Sequence, residues 1–386
     1  MTSTATQPNG GRLASIDLLR GVVMLVMLLD HVRETFYLHR QVGDPMDVTQ
    51  VEPALFVSRV LAHLCAPVFV FLTGLSAWLY GSRQPRPREA ASAFLFKRGL
   101  FLIVLELTLV NFAWTGRFPP DVIYLQVIWA IGLSMVALSA LLWLPRAALV
   151  TFGILVIAAH NLLDGVQATP GTAWDALWSV LHERNWIELG DLRLRTSYPV
   201  LPWIGVIALG YAAGPWYGAN MSTAARQTRL LIAGVLALSA FVVLRWIDVY
   251  GDAPRLSGGG ALMDAMSFFN VTKYPPSLLF LLLTVGVGLW LLRLFENPRL
   301  AQALAPLVTF GAAPMFFYLL HLYVLKLLYV LAERLIGRTD GGVFSLPDVA
   351  SLWLAAALVA LLLYVPVRWF AALKARRRDL AWLRYL

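Results

Sequence analysis

Charge is what this sequence has least of. Only 14% of its 386 residues are Asp, Glu, Lys or Arg, while 59% are hydrophobic; soluble domains run near ~25% charged. Cysteine is almost missing as well. A lone Cys65 excludes an intrachain disulfide framework and carries no metal signature, so no metal ligands are assigned. No ten-residue alternation of apolar and polar positions recurs, which argues against a membrane barrel. No internal repeat points to an inverted-repeat transporter. No small-residue cleavage site follows the first apolar segment, which is therefore read as a retained span rather than a signal peptide. Residues 1–11 are polar and expected to be disordered.

What is present is a series of apolar stretches, each long enough to cross about 30 Å of hydrocarbon as a helix. They cover residues 15–37, 58–81, 95–115, 121–144 and 146–163, then 198–217, 227–247, 276–295, 308–334 and 348–371. The expected fold is all-α, a polytopic transmembrane bundle of about ten or eleven helices. The net charge of +9 could suggest nucleic acid, but the basic residues sit between the spans, where topology explains them better. With the N-terminus cytoplasmic, the inner loops hold Arg83, Arg86, Arg88, Lys97, Arg98, Arg146, Arg226, Arg229, Arg293 and Arg299. The tail adds Lys374, Arg376, Arg377, Arg378 and Arg384, whereas the outer loops carry acids such as Asp44, Glu52 and Asp175. Both termini are thus expected in the cytoplasm. Residues 1–14 form one tail, 15–371 the membrane domain and 372–386 a basic tail. The segments 38–57 and 164–197 are long enough to cap the outer face. The partner implied throughout is a lipid bilayer, with no nucleic acid.

Ionisable groups inside a bilayer are costly and suggest function. The first span carries Arg20 and His31, eleven residues apart and therefore on one helix face, separated by about 16 Å along the axis. Arg20 falls near the cytoplasmic boundary and His31 in the outer half. Asp30 and Arg33 can pair at i,i+3, with Glu34 beside both. The plainer readings are a snorkelling Arg20 and a hydrated helix end over Asp30–Glu34. His63 lies about 9 Å below the outer end of its span, at a depth that matches His31 and suggests that the two face a common cavity, although a lone histidine there is more often packing. His160 and His321 also fall within spans, and histidine suits proton transfer near neutral pH. Glu106, Asn111, Gln126 and Lys326 complete the intramembrane polar set; for Asn111 and Gln126, interhelical hydrogen bonding is the leading role. Lys97 and Arg98 open the third span near Arg20 in depth, a place suited to phosphate, though retention signals explain the same residues.

The run Arg12-Leu13-Ala14-Ser15-Ile16-Asp17-Leu18-Leu19-Arg20-Gly21, continuing to Leu29-Asp30-His31-Val32-Arg33, resembles the opening of the bacterial relatives of heparan-alpha-glucosaminide N-acetyltransferase, within the transmembrane acyltransferases. The likeness continues through His63 to Gly74, Tyr198 to Gly205, Thr272 to Leu278 and Phe316 to Tyr323, in order along most of the chain. The Arg20–His31 spacing is also similar to the basic-x10-His pattern of acyltransferase family three.

The resemblance implies transfer of an acetyl group from cytosolic acetyl-CoA to an amino or hydroxyl group of a sugar-like acceptor on the far side of a bacterial inner membrane. Arg20, Lys97 and Arg98 would then hold the CoA phosphates, and His31 would act as base with Asp30 orienting its ring. His63 and His321 are candidates for acceptor binding or a second proton transfer. His31 falls where the resemblance aligns an asparagine of the lysosomal enzyme, and only His39 lies loosely near that enzyme's proposed catalytic histidine, so the identity of the base stays open. A homodimer is compatible with such a bundle. The competing function is a transporter or flippase, for which Gly311-Ala312-Ala313-Pro314 could break a span; a non-catalytic scaffold leaves the intramembrane histidines unexplained.

Overall fold

The computed structural model describes residues 14–339, 342–377 and 379–384, without the side chains of Ala381 and Arg384. The expected polar N-terminal tail, Arg12, Arg378 and the side chain of Arg384 lie outside the described residues.

The chain opens with α1 (Ala14–Phe36), the central helix, apolar on nearly every side and buried on nearly every side as well. A long helix follows in two parts, α2 (Pro53–Ala62) and α3 (Cys65–Gly81). Pro67, in the first turn of α3, has no N–H to offer the carbonyl of His63, which explains the interruption at His63–Leu64. Next come α4 (Pro87–Leu105), a π-helical turn (Glu106–Val110) and α5 (Asn111–Thr115), which ends on the left-handed Gly116 at φ +68°. The span expected over 121–144 starts instead as a strand, β1 (Val122–Leu125), and turns helical only in α6 (Val127–Leu141). Arg146–Ala159 forms α7.

The cap segment holds α8 (Ala173–Leu181), β2 (Trp186–Leu189) and β3 (Leu192–Thr196). β3 is the middle strand, parallel to β1 with Leu125 opposite Thr196, and antiparallel to β2 with Trp186 opposite Arg195. The chain is mostly helical, as expected, and this small sheet is an addition to the bundle. Asn111 makes it possible: its side chain donates to Val122 O at 3.0 Å and accepts from Tyr124 N at 3.1 Å. A sheet register formed by strands some seventy residues apart leaves no local periodicity for the sequence to show.

The second half contains α9 (Leu201–Ala213), α10 (Thr223–Ile247), α11 (Ala261–Phe269) and α12 (Leu278–Leu294). It ends with α13 (Pro298–Ala303), α14 (Ala305–Ala312), α15 (Pro314–Leu335) and α16 (Val349–Arg376). The 308–334 stretch is broken at Ala313, where proline starts α15. Ser222, Ser277 and Asp348 cap α10, α12 and α16 through their side chains.

Among the described residues, five helical stretches are long and apolar enough to cross a membrane: Pro53–Gly81, Arg146–Leu163, Thr223–Ile247, Pro314–Leu335 and Val349–Arg376. Leu361 and Val365 on α16 are each 71% exposed and Trp246 on α10 is 69% exposed. Apolar faces of that extent need lipid around them. Inside, helices meet through glycine. A Cβ on Gly21 of α1 would lie 2.0 Å from Leu307 O, and one on Gly311 of α14 would lie 1.8 Å from Asp17 O. The two backbones cross in direct contact, as small residues permit between membrane helices.

Candidate active site

Beside that crossing, a cavity of about 790 Å³ runs along α1. Its lining extends from Ile16 to Glu34 on α1, roughly 27 Å at the helical rise. One end is basic, with Arg20, Arg83, Arg98 and Lys374. The other is mixed, with Asp30, His31, Glu34, Tyr198, Lys273 and Tyr274. Between them the walls come from Met24, Met27, Phe69 and Ile131, with Met315 and Tyr318 placed there by the break before α15.

At the basic end, Arg20 Nη1 donates to Asp17 Oδ1 at 3.1 Å and Nη2 donates to Ser76 Oγ on α3. The guanidinium is thus aimed by its own helix and by a neighbour. Arg98 lines the same end, its guanidinium 5.8 Å from the Phe94 ring centre. Lys97 points elsewhere: it is exposed and does not line the cavity. Sequence adjacency places the two on different faces of α4.

At the other end, His31 Nδ1 and His321 Nε2 are 2.7 Å apart, and His321 Nδ1 is 2.8 Å from Phe317 O. A carbonyl only accepts, so His321 Nδ1 carries a proton. In a neutral ring its Nε2 is then the acceptor, His31 Nδ1 donates to it, and the lone pair of His31 remains on Nε2. The rings of Trp114 and Tyr318 stand edge-on to His31 at 5.3 and 6.1 Å. Trp114 Nε1 and Tyr318 Oη are buried without a well-formed hydrogen bond among the described residues.

Asp30 is held by guanidinium groups rather than by the imidazole. Arg59 Nη1 donates to its two oxygens at 3.0 and 2.7 Å, and Arg33 Nε donates to Oδ1 at 2.9 Å. Arg33 also pairs with Glu34 at 3.1 Å. Arg59 reaches Asp44 Oδ2 at 3.4 Å, and Asp44 Oδ1 accepts from Lys273 N at 2.7 Å. Burial pushes the Asp44 carboxyl up, against the pull of Arg59 and the Lys273 amide. The 38–57 segment is therefore tied to the 270–277 turn, which Asp252 also braces through Thr272 N at 2.9 Å and Ser277 Oγ at 2.5 Å. Lys273 is only 4% exposed, with its ammonium 5.0 Å from the Tyr274 ring centre and 5.9 Å from that of Tyr198. The two phenol oxygens are 3.2 Å apart.

His63 is buried at 2% exposure beside Phe280, has no hydrogen bond on either nitrogen among the described residues, and does not line the cavity. Glu106 accepts from Trp129 N at 3.0 Å, and Lys326 approaches Trp114 O at 3.5 Å. His160 lies with His182 and Asp164, apart from this cluster. Nothing in the periodicity of the spans singles out Arg59, Lys273, Tyr274, Tyr198 or Tyr318, and Trp114 reads there only as an interfacial aromatic residue. Arg59 carried its own signal, a cation inside an apolar span. Tyr198, Lys273 and Tyr274 lie in segments that carry the resemblance above, but nothing local connects them to His31.

No curated protein matches the chain significantly. The family model described as heparan-alpha-glucosaminide N-acetyltransferase, catalytic, matches residues 12–245, more than half of the chain and all of α1 through α9. The cavity, its histidine pair and the multi-pass architecture thus sit in a chain that belongs to the heparan-alpha-glucosaminide N-acetyltransferase catalytic family.

Proposed function

We propose that the protein transfers an acetyl group from cytosolic acetyl-CoA, through the membrane, to an amino or hydroxyl group of a sugar-like acceptor on the opposite side. Family membership suggests a transmembrane N-acetyltransferase; the observation that carries the finer reading is the cavity running from Arg20 to His31, whose Nδ1 meets the buried His321 behind it. With the termini in the cytoplasm of a bacterial cell, the basic end faces the cytosol. Arg20, Arg98 and Lys374 then hold the phosphates of the donor. Lys97, exposed and away from the cavity, is left out of this set. The apolar middle accepts the pantetheine arm, whose thioester reaches the neighbourhood of His31.

His31 Nε2 takes the proton from the acceptor's amine or hydroxyl as that group attacks the thioester carbonyl carbon. The imidazolium so formed keeps its Nδ1–H on His321 Nε2, which makes His321 a positioning residue. Tyr318, with Trp114 behind it, offers an O–H to the oxyanion of the tetrahedral intermediate. As the C–S bond breaks, His31 returns its proton to the leaving thiolate. Glu34, Lys273, Tyr198 and Tyr274 form the acceptor's side of the cavity. Asp30 serves as the anchor of Arg33 and Arg59, and His63 lies outside the reacting group. Alignment of two reactants in one channel supplies much of the acceleration.

The break between α14 and α15 beside the cavity favours a second reading, a transporter with alternating access. Calorimetry separates the two. Acetyl-CoA should bind detergent-purified wild type, bind far more weakly to Arg20→Ala, and still bind His31→Ala. A well-folded wild type that binds no acetyl-CoA would sink the acetyltransfer reading and turn attention to transport.

A further inference from the structure

Away from the cavity, α7 ends in a turn (His160–Leu163) that presents a second histidine cluster. His160, Asp164 and His182 each offer one ligand atom, and these atoms all lie within 4.8 Å of one another. His160 is 2% exposed, and neither of its ring nitrogens has a hydrogen-bond partner among the described residues. A buried imidazole left in that state bears an uncompensated desolvation cost. His182, at the end of α8, is 3% exposed and stacks on Trp178 at 5.0 Å. Its Nε2 donates to His160 O at 2.9 Å and lies 3.6 Å from Asp164 Oδ1. The other Asp164 oxygen accepts from Asn161 Nδ2 at 2.9 Å, and Asn161 Oδ1 accepts from Leu278 N at 2.9 Å. That outer support is what a ligating carboxylate needs to stay oriented.

We propose that His160, Asp164 and His182 form a binding site for a divalent transition metal of the zinc type. Two imidazoles and a carboxylate suit Zn²⁺, with water as fourth ligand. In a tetrahedral site with bonds near 2.1 Å, the ligand atoms sit about 3.4 Å apart. The His182–Asp164 distance already matches, and rotation of His160 supplies the remaining contraction. On binding, His182 Nε2 releases its proton to solvent and gives up its hydrogen bond to His160 O, so that its lone pair turns to the ion. Asp164, 52% exposed on its side chain, leaves a path from solvent. The ion would clamp the cap segment to the end of α7, next to the first residue of α12 and so to the turn that carries Lys273.

The sequence shows no signature because the third ligand is contributed from across the cap, with only the His160–Asp164 pair at helical spacing. The test uses the full chain in detergent with its affinity tag removed and metal stripped by EDTA. Titration with Zn²⁺ should give one site per chain, at least about ten-fold weaker in Asp164→Asn and absent in His160→Ala. Asp164→Asn changes a half-exposed group, so its folding is not in question. His321→Ala should bind as wild type, which separates this cluster from the histidine pair in the cavity. Co²⁺ should give the intense visible absorption of a four-coordinate site, and Zn²⁺ should slow hydrogen exchange over residues 164–185. No stoichiometric binding by wild type, or equal binding by wild type and Asp164→Asn, would overturn the proposal whatever becomes of the acetyltransferase reading.

Discussion

His31 Nδ1 and His321 Nε2 lie 2.7 Å apart, although 290 residues separate them. The Phe317 carbonyl on the far side of His321 fixes the proton order of the pair and leaves the lone pair of His31 on Nε2. On the proposed acetyl-transfer reading, the imidazole on α15 thereby prepares the one on α1 to act as a base.

Removing either ring has different expected consequences. His31→Ala should lower kcat by roughly 10²–10⁴-fold, the usual contribution of a positioned general base. His321→Ala should lower kcat less and move the pH–rate profile, because the His31 tautomer is no longer imposed. Steady-state kinetics with acetyl-CoA and an amino-sugar acceptor, measured across pH, distinguishes the two. A His321→Ala enzyme with an unchanged profile would remove the positioning role.

Donor binding should separate two adjacent residues of α4. Arg98→Ala and Arg20→Ala should each weaken acetyl-CoA binding by roughly ten-fold or more, since a hydrogen bond between charged groups contributes about 1.5–3 kcal/mol. Lys97→Ala, changing an exposed side chain outside the cavity, should leave the affinity within two-fold of wild type, as calorimetry would show.

The Asp30–Arg59 pair, with side chains 9% and 4% exposed, is expected to be needed as a pair. Arg59→Met or Asp30→Asn alone should destabilise the protein by about 3–5 kcal/mol, because each leaves a buried charge short of a partner. The double variant should cost less than the sum. Thermal unfolding in detergent of the four proteins closes this cycle; strict additivity would mean that Arg33 and Asp44 hold the cluster without the pair.

Packing at the α1–α14 crossing gives another expectation. Gly21→Ala would drive a methyl group against Leu307 O at 2.0 Å and should cost about 1–3 kcal/mol. Because Arg20 adjoins Gly21, donor affinity should fall with stability. Ala on the exposed face of α16, for example Leu361→Ala, serves as control and should leave donor affinity unchanged.

The amino-acid sequence by itself determined what rests on local rules. Apolar length and scarce charge established a helical membrane chain, and the eleven-residue spacing placed Arg20 and His31 on one face of α1, because helical periodicity is a property of neighbours. The Asp30–Arg33 pair at i,i+3 was legible for the same reason. The Gly311–Pro314 run likewise announced the break before α15, since proline excludes the continuing bond. Only the tertiary structure decided the rest. Matching depth suggested that His63 and His31 share a cavity, but depth is one coordinate. Rotation about the helix axis and the interruption before Pro67 place His63 against Phe280 instead. Lys97 and Arg98 are neighbours in sequence, yet a turn of about 100° sends one to the exposed surface and the other to the cavity. His321, Arg59, Lys273 and the β1–β3 pairing join residues tens to hundreds of positions apart, and such contacts are specified by the packing of the whole chain, which no local pattern encodes.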